Sequence, residues 1–126
     1  MHHKKLDKWL QFGGHCDGSF KVLDVSIREF QEESGIDRAP QIYCFDKEKD
    51  FCIFDLDIHD LPPDTKRNGP AHKHFDMRFL GIIPEDALIN KCNEEVNEIK
   101  WFTLEEAQKH IQEESIQRML KKLKNI

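Results

Sequence analysis

A chain of 126 residues has the size of one domain and leaves little room for a second. Hydrophobic residues make up 38% and charged residues 34%, enough apolar material for one core, and no run approaches the roughly 18 apolar residues of a membrane helix. The net charge of −5, with acids and bases interleaved, argues against a nucleic-acid polymer as partner, because such binders carry a basic face.

The N-terminus, Met1-His2-His3-Lys4-Lys5-Leu6, is basic but has no apolar run behind it, so it does not read as a signal peptide. Residues 8–12 (KWLQF) predict a short strand running into Gly13-Gly14. Residues 15–20 (HCDGSF) form a loop with a turn at Asp17-Gly18, and Ser19 is placed to cap a helix over 22–34 that Gly35 stops. Strands follow at 41–46 and 51–59, the second alternating as Asp55-Leu56-Asp57-Ile58-His59. Pro62-Pro63 through Gly69-Pro70 is a polar loop, followed by strands at 72–83 and 97–102. Thr103 opens a helix with Glu106 as its capping-box partner, and a second helical pattern runs over 113–124. Strands interrupted by helices indicate an α/β layered fold. Cys16, Cys44, Cys52 and Cys92 are scattered without C-x-x-C spacing, so the expectation is four reduced thiols and a cytosolic location. Trp9 and Trp101 are expected in the core.

The most informative segment is Arg28-Glu29-Phe30-Gln31-Glu32-Glu33-Ser34-Gly35-Ile36. On a helix Glu29, Glu32 and Glu33 share one arc, with Leu23, Ile27 and Phe30 opposite as the expected core side; Val25 breaks the pattern by lying near the acids. Three carboxylates at this spacing repel one another, and the C-terminal end of the macrodipole disfavours them further. Their convergence suits a hard divalent cation, although a charged, solvated helix face is the common meaning of such a cluster.

The surrounding residues decide between these. Gly14, five residues, Phe20, seven residues and then REFQEESGI resembles the Nudix signature: Gly, five residues, Glu, seven residues, Arg-Glu-apolar-x-Glu-Glu-x-Gly-apolar. Every fixed position matches except Phe20, which stands where the family has Glu. The chain is thereby identified as a member of the Nudix (MutT-like) hydrolases, of a group with a GGHxDG loop and an HxHxDxRF strand.

The resemblance implies a Nudix-type α/β/α sandwich with a mixed sheet in one domain, residues 1–126. It implies hydrolysis of a diphosphate linkage in a nucleoside diphosphate derivative or similar small phosphorylated molecule, an acid-anhydride pyrophosphohydrolase reaction dependent on Mg²⁺ or Mn²⁺. Glu32 and Glu33 would be metal ligands, Glu29 a further ligand or base, and Gly14 would offer its carbonyl. Arg28 would pair with an acidic neighbour and hold the helix. Phe20 removes any support the family Glu gives, with Asp17 and Asp24 nearby. The alternative is a catalytically weak or inactive Nudix-fold protein that binds a nucleotide or a protein partner. The signature begins after only 13 residues, whereas family members carry opening strands before it. Missing strands would expose a sheet edge that a second copy covers, so a homodimer is an expectation, as is a start internal to a longer protein.

Later in the chain, His72, His74, Asp76 and Arg78 alternate with Phe75, Met77 and Phe79, placing the polar groups on one strand face. Three readings stand: a solvated face, a face reaching substrate phosphate or sugar, or a His-x-His metal site whose remaining ligands are not evident. Glu95 and Glu98, before Ile99-Lys100-Trp101-Phe102, sit where many Nudix proteins carry a Glu serving as base or extra metal ligand; three acids in five residues are also a common surface pattern.

Overall fold

The computed structural model describes residues 1–126 apart from 47, 49–51, 65, 67–68 and 91–92; Cys92 therefore lies outside the described residues. The elements in chain order are β1 (His2–His3), β2 (Lys8–Trp9), α1 (Val22–Ser34), β3 (Gln41–Ile42), β4 (Ile53–Leu61), β5 (His72–Phe79), β6 (Gly81–Ile82), β7 (Val96–Glu98), α2 (Leu104–His110) and α3 (Glu114–Leu123). Helices with antiparallel ladders make this an α/β chain. Its contacts divide it into two compact units, residues 1–41 with 81–126, and residues 42–80. The short strands β3 and β6 fall where the chain passes from one unit to the other.

In the larger unit, β1 pairs antiparallel with β2 on one side and with β7 on the other. The segment before the acidic helix thus contributes two short strands of its own, though the expected strand over 8–12 ends at Trp9. The edge of Trp9 packs against the face of Phe102 (ring centres 4.9 Å apart), while Trp101, expected in the core, is 59% exposed. The core lies under α2 and α3: Ala107, Ile116 and Leu120 are buried, with Leu10, Phe102, Ile111, Met119 and Leu123 packed around them. Each large apolar side chain so covered contributes about 1.5–3 kcal/mol. Thr103 starts α2 as expected: its hydroxyl accepts the Glu106 N–H at 3.2 Å and its own N–H donates to the Glu106 carboxylate at 2.9 Å. Those bonds hold the Glu106 carboxyl below the usual range, because they favour the ionised form.

Helix α1 occupies the predicted span and ends on Gly35, whose left-handed φ of 68° closes the last turn through an N–H bond to the Gln31 carbonyl. Its start differs from expectation. Ser19 accepts the Lys21 N–H at 3.2 Å, and Lys21 is the capping residue without a side-chain cap. The Asp17-Gly18 turn forms as expected, with both residues at positive φ and the Ser19 N–H bonded to the Cys16 carbonyl.

The smaller unit is built on the β4–β5 hairpin, paired from Ile53 opposite Phe79 to Leu61 opposite His72. A bulge between Ile53 and Asp55 inserts Phe54 and brings Asp55 opposite Arg78, after which the pairing is regular. Phe54 stacks on Phe45, whose edge meets Tyr43. Cys44 and Cys52 form a disulfide, contrary to the expected four thiols; of the described cysteines, Cys16 keeps a free thiol. The cytosolic expectation rested on reduced thiols and loses that premise. Among the described residues no helix is long and apolar enough to cross a membrane.

Candidate functional site

The acidic arc of α1 is only partly solvated. Val25 and Glu33 are buried, at 5% and 4% exposure, and Glu29 is half-buried, so the helix turns its acidic arc inward. Val25 no longer breaks a pattern: it lies beside Glu29 on the covered side, while Leu23 and Ile27, expected as core, are only half-buried. Phe30 packs edge-on against Phe12, which anchors the strand-to-loop segment entering Gly13-Gly14.

That loop is what covers the acids. The Gly13 N–H donates to Glu33 Oε2 at 2.9 Å. Gly14 packs so closely on the Glu29 carboxylate that a Cβ there would collide with Oε2 and its carbon. A side chain at position 14 would force the Glu29 carboxylate or the loop to shift, so glycine is what permits this close approach. Arg28 donates to Glu29 Oε1 at 2.9 Å and lies 3.8 Å from Glu32 Oε1, bridging two of the three acids. Glu32 is more exposed and lines an open cleft of about 550 Å³ with Asp24, Ile27, Arg28, Gln31 and Ile36.

Burial raises the Glu33 carboxyl to about 7, and Glu29 and Glu95 add repulsion. The Gly13 N–H and the N-terminal ammonium oppose the rise without cancelling it. Glu95 therefore belongs to the electrostatic surroundings of this site, placed there by the Lys4 N–H bond to its carbonyl (2.8 Å) just before β7. Glu98 is exposed on β7 opposite His2. Phe20, in the position of the family Glu, is 99% exposed and touches none of this.

Whether a divalent cation fits can be judged from the charge balance. Glu33 is buried and pushed toward protonation first by that burial and then by Glu29 and Glu95, while the opposing cation Arg28 is half-exposed. Oxygen donors with surplus negative charge suit a hard cation such as Mg²⁺ or Mn²⁺.

The second cluster lies in the smaller unit. Contrary to a solvated polar face, the polar side of β5 is the more covered one: Arg78 is buried at 8% exposure, while Phe75 and Met77 on the other face are 64% and 44% exposed. Arg78 lies 3.6 Å from Asp55, 3.6 Å from Asp57 and 3.5 Å from Asp76, so its guanidinium is engaged by carboxylates of its own hairpin. His59, opposite His74, brings its Nδ1 to 3.2 Å from Asp57 Oδ2. The sequence reading passed over His59 and Asp57. Their alternation was visible, but only the hairpin register sets them across from His74 and Asp76.

The NUDIX domain family model matches residues 1–123. Over 105 residues the chain is 30% identical to a protein of Lactococcus lactis subsp. cremoris (strain MG1363) named "Probable DHNTP pyrophosphohydrolase". That match takes in 83% of this chain and 54% of the relative, so the chain spans about half the relative's length. The signature residues, the loop folded onto their carboxylates and the extent of the family match together place this chain in the Nudix family.

Proposed function

We propose that this chain hydrolyses a diphosphate linkage in a nucleotide-like small molecule with a divalent cation, Mg²⁺ or Mn²⁺, held by Glu29, Glu32, Glu33 and the Gly14 carbonyl. The packing of Gly13-Gly14 on the Glu29 and Glu33 carboxylates carries this reading, because it lays the glycine loop of the signature over two of its acids. A cation bound there would neutralise phosphate charge and lower the pKa of an attacking water, so no protein nucleophile is needed.

The chain's own groups supply the remainder. Arg28 orients Glu29 and Glu32 by its two contacts. Glu33, raised to about 7 by burial in the metal-free chain, would give up its proton on ligating the cation, with Glu95 close enough to influence it. Phosphoryl chemistry asks mainly for positioning and charge neutralisation, which this arrangement is suited to provide.

The name of the Lactococcus relative makes DHNTP the first substrate to try. Release of phosphate or pyrophosphate should be assayed on DHNTP, nucleotide sugars, ADP-ribose, dinucleoside polyphosphates and nucleoside triphosphates, with Mg²⁺ and with Mn²⁺. Turnover that needs the cation and disappears in Glu33→Gln is the expected result. A panel without turnover overturns the hydrolase reading. A second reading is favoured by Phe20 alone: with that position exposed and apolar, the chain binds a nucleotide without cleaving it. Nucleotides that raise the Tm of a chain inert toward the panel would establish this.

A further inference from the structure

We propose that the covered polar face of the β4–β5 hairpin is a binding site for a divalent transition-metal ion, with His59, His74 and Asp76 as ligands. This site shares no residue with the acids of α1 and does not rest on the hydrolase reading.

Three observations carry it. One donor atom from each of His59, His74 and Asp76 lies within 4.8 Å of the other two. Around an ion with bonds of about 2.0–2.1 Å, tetrahedral donors stand about 3.3 Å apart, so side-chain adjustment on a fixed backbone closes the site. The hairpin register fixes that backbone: His59 faces His74, and Asp57 faces Asp76 on the neighbouring pair.

The second observation is charge. Asp57 directly opposite Asp76 is an unfavourable pairing of like charges on a sheet. Asp55 lies on the same face, and the buried guanidinium of Arg78 stands 3.5–3.6 Å from all three carboxylates. A cation held by Asp76 beside His59 and His74 would relieve that opposition. Arg78 contacts Asp76 through Nη2 at 3.5 Å, longer than a close bidentate pair.

The third is orientation. Asp57 Oδ2 lies 3.2 Å from His59 Nδ1, which also stands 3.9 Å from Asp76 Oδ2; in the tautomer that donates from Nδ1 to Asp57, Nε2 is the ring atom left to ligate. This carboxylate–histidine pairing behind a metal fixes the ring and raises its basicity. His72, by contrast, is turned to the Pro70 carbonyl at 2.9 Å and is left out of the ligand set.

Two imidazoles with one carboxylate select ions of the zinc, cobalt or nickel type over Mg²⁺, which prefers oxygen alone. With three protein donors, a coordination position stays open to water or to an anionic oxygen of a ligand.

The test is a titration of the full chain with Zn²⁺ in excess Mg²⁺, followed by long-range ¹H–¹⁵N correlations of the histidine rings. The ring nitrogens of His59 and His74 should shift together at one Zn²⁺ per chain, with His72 unmoved. Asp57→Asn, a positioning change, should weaken Zn²⁺ binding by about ten- to hundredfold, and His59→Asn or His74→Asn by more than that. Glu33→Gln should leave Zn²⁺ affinity unchanged. Rings of His59 and His74 that stay put at saturating Zn²⁺ overturn the proposal, and this readout on the unaltered chain decides even if a variant fails to fold. Equal Zn²⁺ affinity in a folded His74→Asn chain overturns it as well.

Discussion

Glu33 combines burial, a single backbone N–H bond and repulsion from Glu29 and Glu95, and its carboxyl titrates near 7 against 4.5 when unperturbed. Between these values the folded chain holds a proton that the unfolded chain has lost, so without metal the fold loses stability as pH rises from about 4.5 through 7. The loss is at most about 3 kcal/mol. Thermal melts in chelator from pH 5 to 8 should show this fall, and Glu33→Gln should flatten it. Mn²⁺ should restore stability at pH 8 in the unaltered chain and much less in Glu33→Gln; calorimetry should likewise show Mn²⁺ binding weakened in Glu32→Gln. If turnover is metal-driven, Glu33→Gln lowers its rate by roughly a thousandfold or more. Phe20→Glu alters a side chain that is 99% exposed. Its Tm should stay within the shift expected for about 0.5 kcal/mol, with activity unchanged or raised.

At the scale of elements, two contacts decide whether local structure forms as described. Helix α2 has only seven residues, and such a helix is marginal without caps and packing. Thr103→Ala removes the hydroxyl half of its capping box and should cost about 1 kcal/mol by denaturant unfolding. An unchanged midpoint would mean that packing of Ala107 alone holds the helix. Gly14→Ala tests the loop on α1. The added methyl meets the Glu29 carboxylate, so cation affinity should fall while the Tm changes little, because the collision is with the end of a side chain. Retained Mn²⁺ affinity would show that the loop does not help to build the site.

For the molecule as a whole, the two units differ in what holds them. The larger has an aliphatic core under α2 and α3. The smaller relies on a nine-residue strand paired with an eight-residue one, an aromatic group and the Cys44–Cys52 disulfide, with Leu56, Ile58, Phe75 and Met77 exposed on one hairpin face. A cross-link over so short a separation contributes about 2–3 kcal/mol through the unfolded chain. Reduction should therefore release amide hydrogen-exchange protection across residues 53–61 and 72–79 while sparing 104–123. Uniform loss over both units would show that they unfold as one.

The amino-acid sequence alone determined the family, the span of α1 with its Gly35 stop, the Thr103–Glu106 box and the placing of Glu29, Glu32 and Glu33 on α1. Each is a local pattern, legible because helix periodicity, left-handed glycine and side-chain capping act over a few residues. Tertiary structure decided what lay between distant segments. It turned the acidic arc toward Gly13-Gly14, so that Glu33 is buried where opposition to Leu23 and Ile27 suggested exposure. It set Asp55, Asp57 and His59 across from Arg78, Asp76 and His74 through one bulge and a register that alternation does not specify. It joined Cys44 to Cys52 and left Trp101 exposed. Side-chain type says what a residue can do, whereas burial and partners depend on which remote backbone comes to lie over it, and that is a property of packing alone.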